Sequence, residues 1–103
     1  MKTFFGSIFI ERTKLAKCGI MHPIKVEYYK LSQEESSVQK EYGINIIKTE
    51  YKEEMIDIEE KEIKHLTNDE KMINKVLELF KTNEVTPITA RDVLEDLHLC
   101  ESL

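Results

Sequence analysis

Residues 67–97 read TNDEKMINKVLELFKTNEVTPITARDVLEDL, and this stretch decides the fold. Thr67 and Glu70 have the spacing of a capping box, in which a hydroxyl and a carboxylate satisfy backbone N–H groups at the start of a helix. Thr89 and Asp92 repeat that spacing with a shorter acid. Each pair therefore predicts the start of a short helix.

The two predicted helices are separated by residues 83–88, NEVTPI, where Asn83 is a suitable left-handed stop. Apolar residues on either side of this turn recur at the three- and four-residue spacing of one helical face. They are Ile73, Val76, Leu77 and Phe80 in the first helix, and Ala90, Val93, Leu94 and Leu97 in the second. Helices of this length are marginal alone, so we expect each to cover its apolar face with a sheet.

The chain before residue 67 predicts β-strands, because apolar and polar residues alternate in short runs between polar turns. The predicted strands run from Phe4 to Leu15, from Ile24 to Leu31 and from Val38 to Tyr51, and a fourth begins at Met55 to Ile58. Residues 32–37 are expected to form a hairpin loop, and residues 52–54 the next turn. Gly43, inside the third run, predicts a β-bulge or a close backbone approach.

These elements together predict an α+β fold, in which an antiparallel meander of about four strands is followed by two short C-terminal helices packed on one face. The chain of 103 residues has the length of one domain. We therefore expect residues 1–103 to form a single domain, mainly β over residues 1–66 and with both helices in residues 67–99.

The charge of the chain is unevenly distributed. Residues 1–33 hold six Lys or Arg against two Glu, whereas residues 34–103 hold nine against eighteen acidic residues. An acidic surface repels phosphates, which argues against direct nucleic-acid or anionic-membrane binding by the larger part. No apolar run approaches the ~20 residues of a membrane-spanning helix. Two cysteines do not make a disulfide framework, so we expect reduced thiols and a cytoplasmic location.

Two segments carry a family resemblance: Tyr42-Gly43-Ile44-Asn45-Ile46 and, after the first helix, Asn83-x-Val85-Thr86-Pro87-Ile88-x-x-x-Asp92-Val93-Leu94-Glu95-Asp96. Over roughly residues 24–97 the chain resembles a family of small uncharacterised proteins of about its own length, a domain of unknown function found mainly in anaerobic spore-forming bacteria. The resemblance implies a small bacterial cytosolic domain. It assigns no activity and no role to any residue.

Four residues are weak candidates for metal ligands: Cys18, His22, His98 and Cys100. Structural zinc takes four such ligands, but Cys-x3-His and His-x-Cys are not the Cys-x2-Cys pairs of strong zinc motifs. Cys18 and His22 also lack a third group that would orient a nucleophile. With three isolated glycines there is no phosphate-binding loop either. We therefore expect no catalytic residue, no metal and no cofactor.

The most distinctive feature of the composition is an acidic stretch, whose candidate partner-binding residues are Glu53, Glu54, Asp57, Glu59, Glu60 and Glu62. One interpretation is a solvated turn and strand edge, where charge prevents pairing with other chains. The other is a surface that docks onto a basic groove of a protein partner. The sequence leaves both interpretations open.

Three functional hypotheses follow. The first is a small non-catalytic regulatory or adaptor protein that binds another protein or itself, since apolar residues crowd both ends of the chain, at 1–10 and 97–103. A homodimer through a sheet edge or a helix pair belongs to this hypothesis. The second is an acidic inhibitor that occupies a nucleic-acid-binding protein by charge mimicry. The third is a metal- or thiol-dependent enzyme, for which the candidate ligands give little support.

Overall fold

Four strands followed by two helices make up the computed structural model, which describes residues 1–10, 22–34 and 40–96. The elements are β1 (Lys2–Ile10), β2 (Ile24–Glu34), β3 (Lys40–Tyr51), β4 (Ile56–Thr67), α1 (Glu70–Thr82) and α2 (Ala90–Asp96). This architecture confirms the predicted α+β fold, an antiparallel meander with two C-terminal helices.

The sheet has the order β1-β2-β3-β4, and each strand pairs antiparallel with its neighbour in the chain. β1 and β4 are therefore the two edges. The register shifts once between Phe4 and Gly6, and again between Tyr42 and Ile44. The second irregularity confirms the bulge predicted at Gly43.

Two strands are longer than the sequence predicted. β2 continues through Ser32, Gln33 and Glu34, so the hairpin loop predicted to begin at residue 32 is wrong there. β4 runs for 12 residues and includes the acidic segment 59–62, which the sequence pattern did not assign to a strand. Pairing with β3 outweighs the low strand propensity of glutamate, and the Nζ atom of Lys48 lies 3.5 Å from Glu59 across the two strands.

Parts of three predicted segments lie outside the described residues. They are residues 11–15 of the first strand, 35–37 of the first loop and 38–39 of the third strand.

The core lies between one face of the sheet and the apolar faces of the two helices. From the strands it contains Ile10, Ile24, Val26, Tyr28, Tyr42, Ile44, Ile46 and Ile63. From the helices it contains Ile73, Val76, Leu77, Phe80, Ala90 and Leu94. The predicted helical stripes are thus confirmed, except for Leu97, which is outside the described residues. Within this description, one face of the sheet packs against helices and the other does not.

The start of α1 differs from the predicted capping box. Thr67 is still paired with Tyr42 as the last residue of β4, so it cannot cap the helix. Asp69 is the N-cap, and its Oδ1 atom accepts a hydrogen bond from the Lys71 N–H at 3.0 Å. The Glu70 carboxylate accepts instead from the Lys30 Nζ atom, 2.9 Å away on β2. Lys30 lowers the pKa of Glu70 through this contact.

The turn between the helices also differs in detail. Asn83 has a φ of −95° and is not left-handed; Glu84, the next residue, has the positive φ of 54°. The Asn83 side chain donates to the carbonyl of Leu79 at 2.9 Å and so still provides a hydrogen bond to a carbonyl in the last turn of α1. Before α2, the Thr89 hydroxyl accepts a hydrogen bond from the Thr86 N–H and can donate to the Thr86 carbonyl. It therefore stabilises the turn and does not form the predicted capping box.

The sheet and the interhelical turn are joined by one buried hydrogen bond. The hydroxyl of Tyr28, a fully buried residue on β2, donates to the carbonyl of Val85 at 2.7 Å. Burial and, to a smaller extent, the Glu84 carboxylate raise the pKa of Tyr28. The bond fixes the turn that sets the direction of α2.

Replacing Tyr28 by Phe removes the donor and leaves the Val85 carbonyl unpaired, so we expect Tyr28→Phe to lower the free energy of unfolding by about 1–3 kcal/mol. Because folding raises the pKa of this phenol above its ordinary value of 10.0, the wild-type protein should lose stability as the pH rises past that value, and the variant should lose less. Urea denaturation at pH 7 and above pH 10 measures both effects. Tyr51→Phe, at an exposed position, is the control, and an equal loss there would contradict the assignment.

Gly43 provides a second test of the fold. A Cβ atom at this position would overlap the backbone carbonyl oxygen of Ile63, which cannot move without breaking the β3–β4 pairing. We expect Gly43→Ala to cost about 1–3 kcal/mol or more. A Cβ at Gly6 would meet the flexible side chain of Lys81 at 3.2 Å. Gly6→Ala should therefore change stability little, and equal effects of the two substitutions in urea denaturation would contradict this account.

Candidate interaction surface

The acidic candidates do not form one surface. Glu53 and Glu54 are exposed in the turn between β3 and β4. The other four acidic residues alternate along β4. Asp57 and Glu59 lie on the helix side, in register with Glu50 and Lys48. Glu60 and Glu62 lie on the opposite side, in register with Ile47 and Asn45. The strand divides the predicted acidic stretch between the two faces of the sheet.

Most of the acidic side chains on β4 have a local basic or amide partner. Asp57 pairs with Lys52, and Glu62 lies 3.3 Å from the Nζ atom of Lys64. Glu60 accepts a hydrogen bond from Asn45. These contacts reduce the local excess of negative charge that a basic partner would meet.

The metal candidates are mostly outside the structure's description. Cys18, His98 and Cys100 are not among the described residues, and His22 is half-buried just before β2. Within residues 1–10, 22–34 and 40–96 no group of three or more His, Cys, Asp or Glu side chains could hold a metal ion.

The surface that stands out is the open face, by which we mean the face of the sheet opposite the helices. The strand register aligns four of its residues in one row across all strands: Phe9, Lys25, Thr49 and Ile58. Tyr51 and Ile56 form the adjacent pair. Phe9, Ile56 and Ile58 are 59%, 57% and 65% exposed. We call Phe9, Thr49, Tyr51, Ile56 and Ile58 the apolar stripe.

The apolar stripe is a continuous feature rather than a set of scattered residues. The rings of Phe9 on β1 and Tyr51 on β3 lie 6.5 Å apart between centroids, so they approach each other across β2. Single exposed apolar residues are ordinary in soluble proteins, but contiguous apolar patches rimmed by polar residues mark interaction sites. The stripe has this form, with Glu27 and Glu60 in the next row.

A second aromatic cluster lies toward the other end of the open face. The rings of Phe4 and Tyr29 meet edge to face at 5.5 Å, and the Lys2 Nζ atom lies 4.4 Å from the centroid of the Tyr29 ring. The Tyr29 hydroxyl donates to Glu27 at 3.0 Å. Desolvation and this hydrogen bond raise the pKa of Tyr29. The cluster presents a phenol and an ammonium group beside aromatic surface.

The centre of the open face holds a buried amide that is only half satisfied. Asn45 on β3 is fully buried, and its Nδ2 atom donates to Glu60 at 2.8 Å. Its Oδ1 atom has no hydrogen-bond partner among the described residues. Leaving a buried acceptor unpaired costs about 1–3 kcal/mol.

Two of the cavities that border the sheet have mixed polar and apolar linings, and neither has the make-up of an active site. The first, of about 230 Å³, lies at the end of the open face beside Leu31, Gly43 and His65. His65 has a positive φ of 58° and contacts Glu41, but no activated nucleophile accompanies it among the described residues. The second, of about 530 Å³, separates β4 from the start of α2 and mixes acidic side chains with Arg91.

Sequence reasoning found part of the apolar stripe and missed the rest. The first ten residues were expected to supply exposed apolar groups, and Phe4 and Phe9 do so; residues 97–103 are not described. The sequence pattern placed Ile56 and Ile58 at the start of the fourth strand, but it did not reveal that their side chains are exposed. Their signal was the spacing Ile56-x-Ile58 between charged residues, which predicts one shared face but not that this face is uncovered.

A family model described as a family of unknown function, DUF6514, matches residues 9–99 of the chain. The chain therefore belongs to this family, and the expected relation to uncharacterised proteins is confirmed over a longer range than residues 24–97. No curated protein and no solved structure matches the chain. Among the described residues, no helix is long and apolar enough to cross a membrane.

Asn45 gives a test of the electrostatics at the centre of the open face. In Asn45→Asp, burial and the carboxylate of Glu60 should raise the pKa of the introduced carboxyl. Its protonated form can donate to Glu60 as the amide does, so the penalty should be small near pH 4. The penalty should grow as the pH rises and the carboxyl ionises.

Thermal unfolding from pH 4 to pH 8 measures this difference between the variant and the wild-type protein. Asn45→Ala is the control, because it removes the amide without adding a charge and its deficit should not follow the same pH course. A constant deficit in Asn45→Asp would contradict both the burial of this position and the proximity of Glu60.

Proposed function

We propose that this chain is a small non-catalytic protein of the bacterial cytoplasm that acts by binding another protein through the open face of its sheet. The observation that supports this most directly is the apolar stripe, whose exposed members lie on β1, β3 and β4 in two adjacent rows of the sheet. Regulatory and adaptor proteins act through such surfaces without chemistry of their own.

The shape of the surface favours a protein over a small molecule. Small ligands bind in concave pockets that bury most of their surface, whereas the open face is a broad sheet with aromatic and aliphatic side chains. Protein interfaces combine an apolar centre with a polar rim and are enriched in Tyr, Phe and Met. Phe9 and Tyr51 fit that composition, as does the exposed Met55 in the adjoining turn.

The charge-mimicry hypothesis has less support from the structure. An inhibitor of a nucleic-acid-binding protein would present its carboxylates on one surface, as a nucleic-acid backbone presents its phosphates. Here Asp57 and Glu59 lie on the helix side, and Glu60 and Glu62 lie on the open face. The third hypothesis, a metal- or thiol-dependent enzyme, has only His22 of its candidate ligands among the described residues.

The proposal is tested by placing a charge in the apolar stripe. Ile58→Lys should weaken partner capture at least about tenfold, because a lysine covered by a partner must lose its hydration. The immobilised protein is exposed to a lysate of its source cell, and the retained proteins are quantified by mass spectrometry. Stability should change little, since Ile58 is 65% exposed.

The matched control is Ile88→Lys. Ile88 is 73% exposed and lies just before α2, outside the strands and outside the apolar stripe. It should leave capture unchanged. Equal capture by wild-type protein and both variants would show that the open face is not the binding surface.

A further inference from the structure

We propose that two copies of this chain associate through β1, which pairs antiparallel with β1 of the second copy about a two-fold axis perpendicular to the sheet. The two sheets then form one continuous sheet, with the helices of both copies on the same side. This inference goes beyond the proposed function, because it concerns an edge of the sheet and leaves β3 and β4 of the open face uncovered. It is carried by the backbone hydrogen bonds of β2, by the bulge in β1 and by the side chains that a symmetric register brings together.

The backbone hydrogen bonds show which residues of β1 are turned away from β2. The Met1 amino group donates to the Ser32 carbonyl at 2.6 Å, and the Ser32 N–H donates to the Met1 carbonyl at 2.8 Å. Hydrogen-bonded and non-hydrogen-bonded pairs alternate along an antiparallel ladder. Lys2 and Phe4 therefore point their N–H and C=O groups outward, away from β2.

The same holds beyond the bulge. The Tyr51 N–H donates to the Pro23 carbonyl at 3.1 Å, so Pro23 bonds to β3, and the next residue, Ile24, bonds to its partner at the end of β1. Alternation along β1 then turns the N–H and C=O groups of Ser7 and Phe9 outward. Among the described residues no strand pairs with this outer side of β1.

The composition of β1 favours pairing with another strand. It has no charged side chain and no proline from Thr3 to Ile10, and charge and proline are the usual devices that prevent pairing at an edge. The one irregularity is the bulge, in which Phe5 is the extra residue between Phe4 and Gly6. A strand that pairs with β1 must place one regular residue opposite this bulge.

One symmetric register of two β1 strands meets this requirement. With Ser7 on the two-fold axis, Phe4 faces Phe9 of the second copy, and Ile8 of the second copy faces the bulge. Three facing pairs of outward residues result, and each pair exchanges two hydrogen bonds. An axis through the bulge would set the two bulges against each other, and an axis at Ile8 would leave Phe4 facing a position beyond the end of β1.

The side chains in this register complement one another. Phe4 and Phe9 both lie on the open face, and each is more than half exposed. Facing residues bring their Cβ atoms to about 4.5–5.5 Å, and aromatic pairs are among the favourable cross-strand contacts. The contact forms twice, as an isologous interface requires, and this repetition favours a second copy over an unrelated strand. It also extends the existing edge-to-face contact of Phe4 with Tyr29.

The size of the interface predicts a reversible dimer. β1 has nine residues, whereas a standard interface uses ~20–30 residues on each side. Lys2, the charged residue of β1, lies outside the three facing pairs, so the pairing opposes no like charges there. The dimer should therefore form at high protein concentration and dissociate on dilution.

The register is tested with introduced cysteines in a background with Cys18→Ser and Cys100→Ser. Ser7→Cys and Ile58→Cys are treated separately with a short bifunctional maleimide. Two residues at position 7 face each other with Cα atoms about 5.5 Å apart, whereas the Ile58 residues lie on the outer strands of the joined sheet, ~30 Å or more apart at ordinary strand spacing. Ser7→Cys should give the covalent dimer in high yield and Ile58→Cys should not.

The backbone pairing is tested by light scattering on a sizing column. Ser7→Pro removes an outward N–H, and with it one interchain hydrogen bond in each copy, but it removes no bond to β2; proline is tolerated at such edge positions. The dissociation constant of the dimer should rise at least about tenfold. Ser7→Ala is the matched control, because it removes the hydroxyl but keeps the N–H, and it should leave the dimer unchanged. Urea denaturation checks that both variants fold.

Three results would overturn the proposal: a monomer at every concentration, cross-linking of Ile58→Cys as efficient as that of Ser7→Cys, or a dimer equally tight in Ser7→Pro and Ser7→Ala. Ile58→Lys separates this interface from the open face. It should leave the dimer intact, and its dissociation there would assign self-association to the open face. An intact dimer with unchanged partner capture in Ile58→Lys would overturn the proposed function alone.

Discussion

Two short helices can cover only one face of a four-stranded sheet, and this constraint shapes the rest of the molecule. α1 and α2 supply six buried apolar residues, and all of them meet the same side of the sheet. The hydrogen bond from Tyr28 to Val85 holds the interhelical turn against that side. No other element of the described chain covers the opposite face. Its pattern of charged and exposed apolar side chains is therefore the feature that bears most directly on function.

The β3–β4 pair shows how the constraint is met on the open side. Several of its polar side chains pair locally: Asn45 donates to Glu60, and Glu62 pairs with Lys64. Its apolar side chains cannot form hydrogen bonds or ion pairs. Ile56 and Ile58 remain exposed next to Tyr51, and an exposed patch of this kind is stabilised when it is covered by another surface. On the open face of β4, the acidic side chains therefore have local partners whereas the isoleucine side chains remain exposed, although they lie within a few residues of each other.

The sequence predicted the order of elements because alternation in strands and three- and four-residue spacing in helices are local signals. The length of β4 was not predictable in this way, because a run of glutamates resembles a turn until its pairing with Lys48 on β3 is known. The cap of α1 was misplaced for the same reason. Thr67 and Asp69 are both good caps locally, and only the pairing of Thr67 with Tyr42 decides between them. The apolar stripe required the register, since Phe9 and Ile58 are distant in the chain.

The edges of the sheet differ in a way that limits how this protein can assemble. β1 has no charged side chain from Thr3 to Ile10, whereas β4 has charges at Asp57, Glu59 to Glu62 and Lys64. Charged residues along an edge discourage another strand from adding there. Within the described chain only one edge is receptive, so growth of the sheet by edge pairing stops after two molecules. Edge pairing alone therefore does not extend the sheet indefinitely.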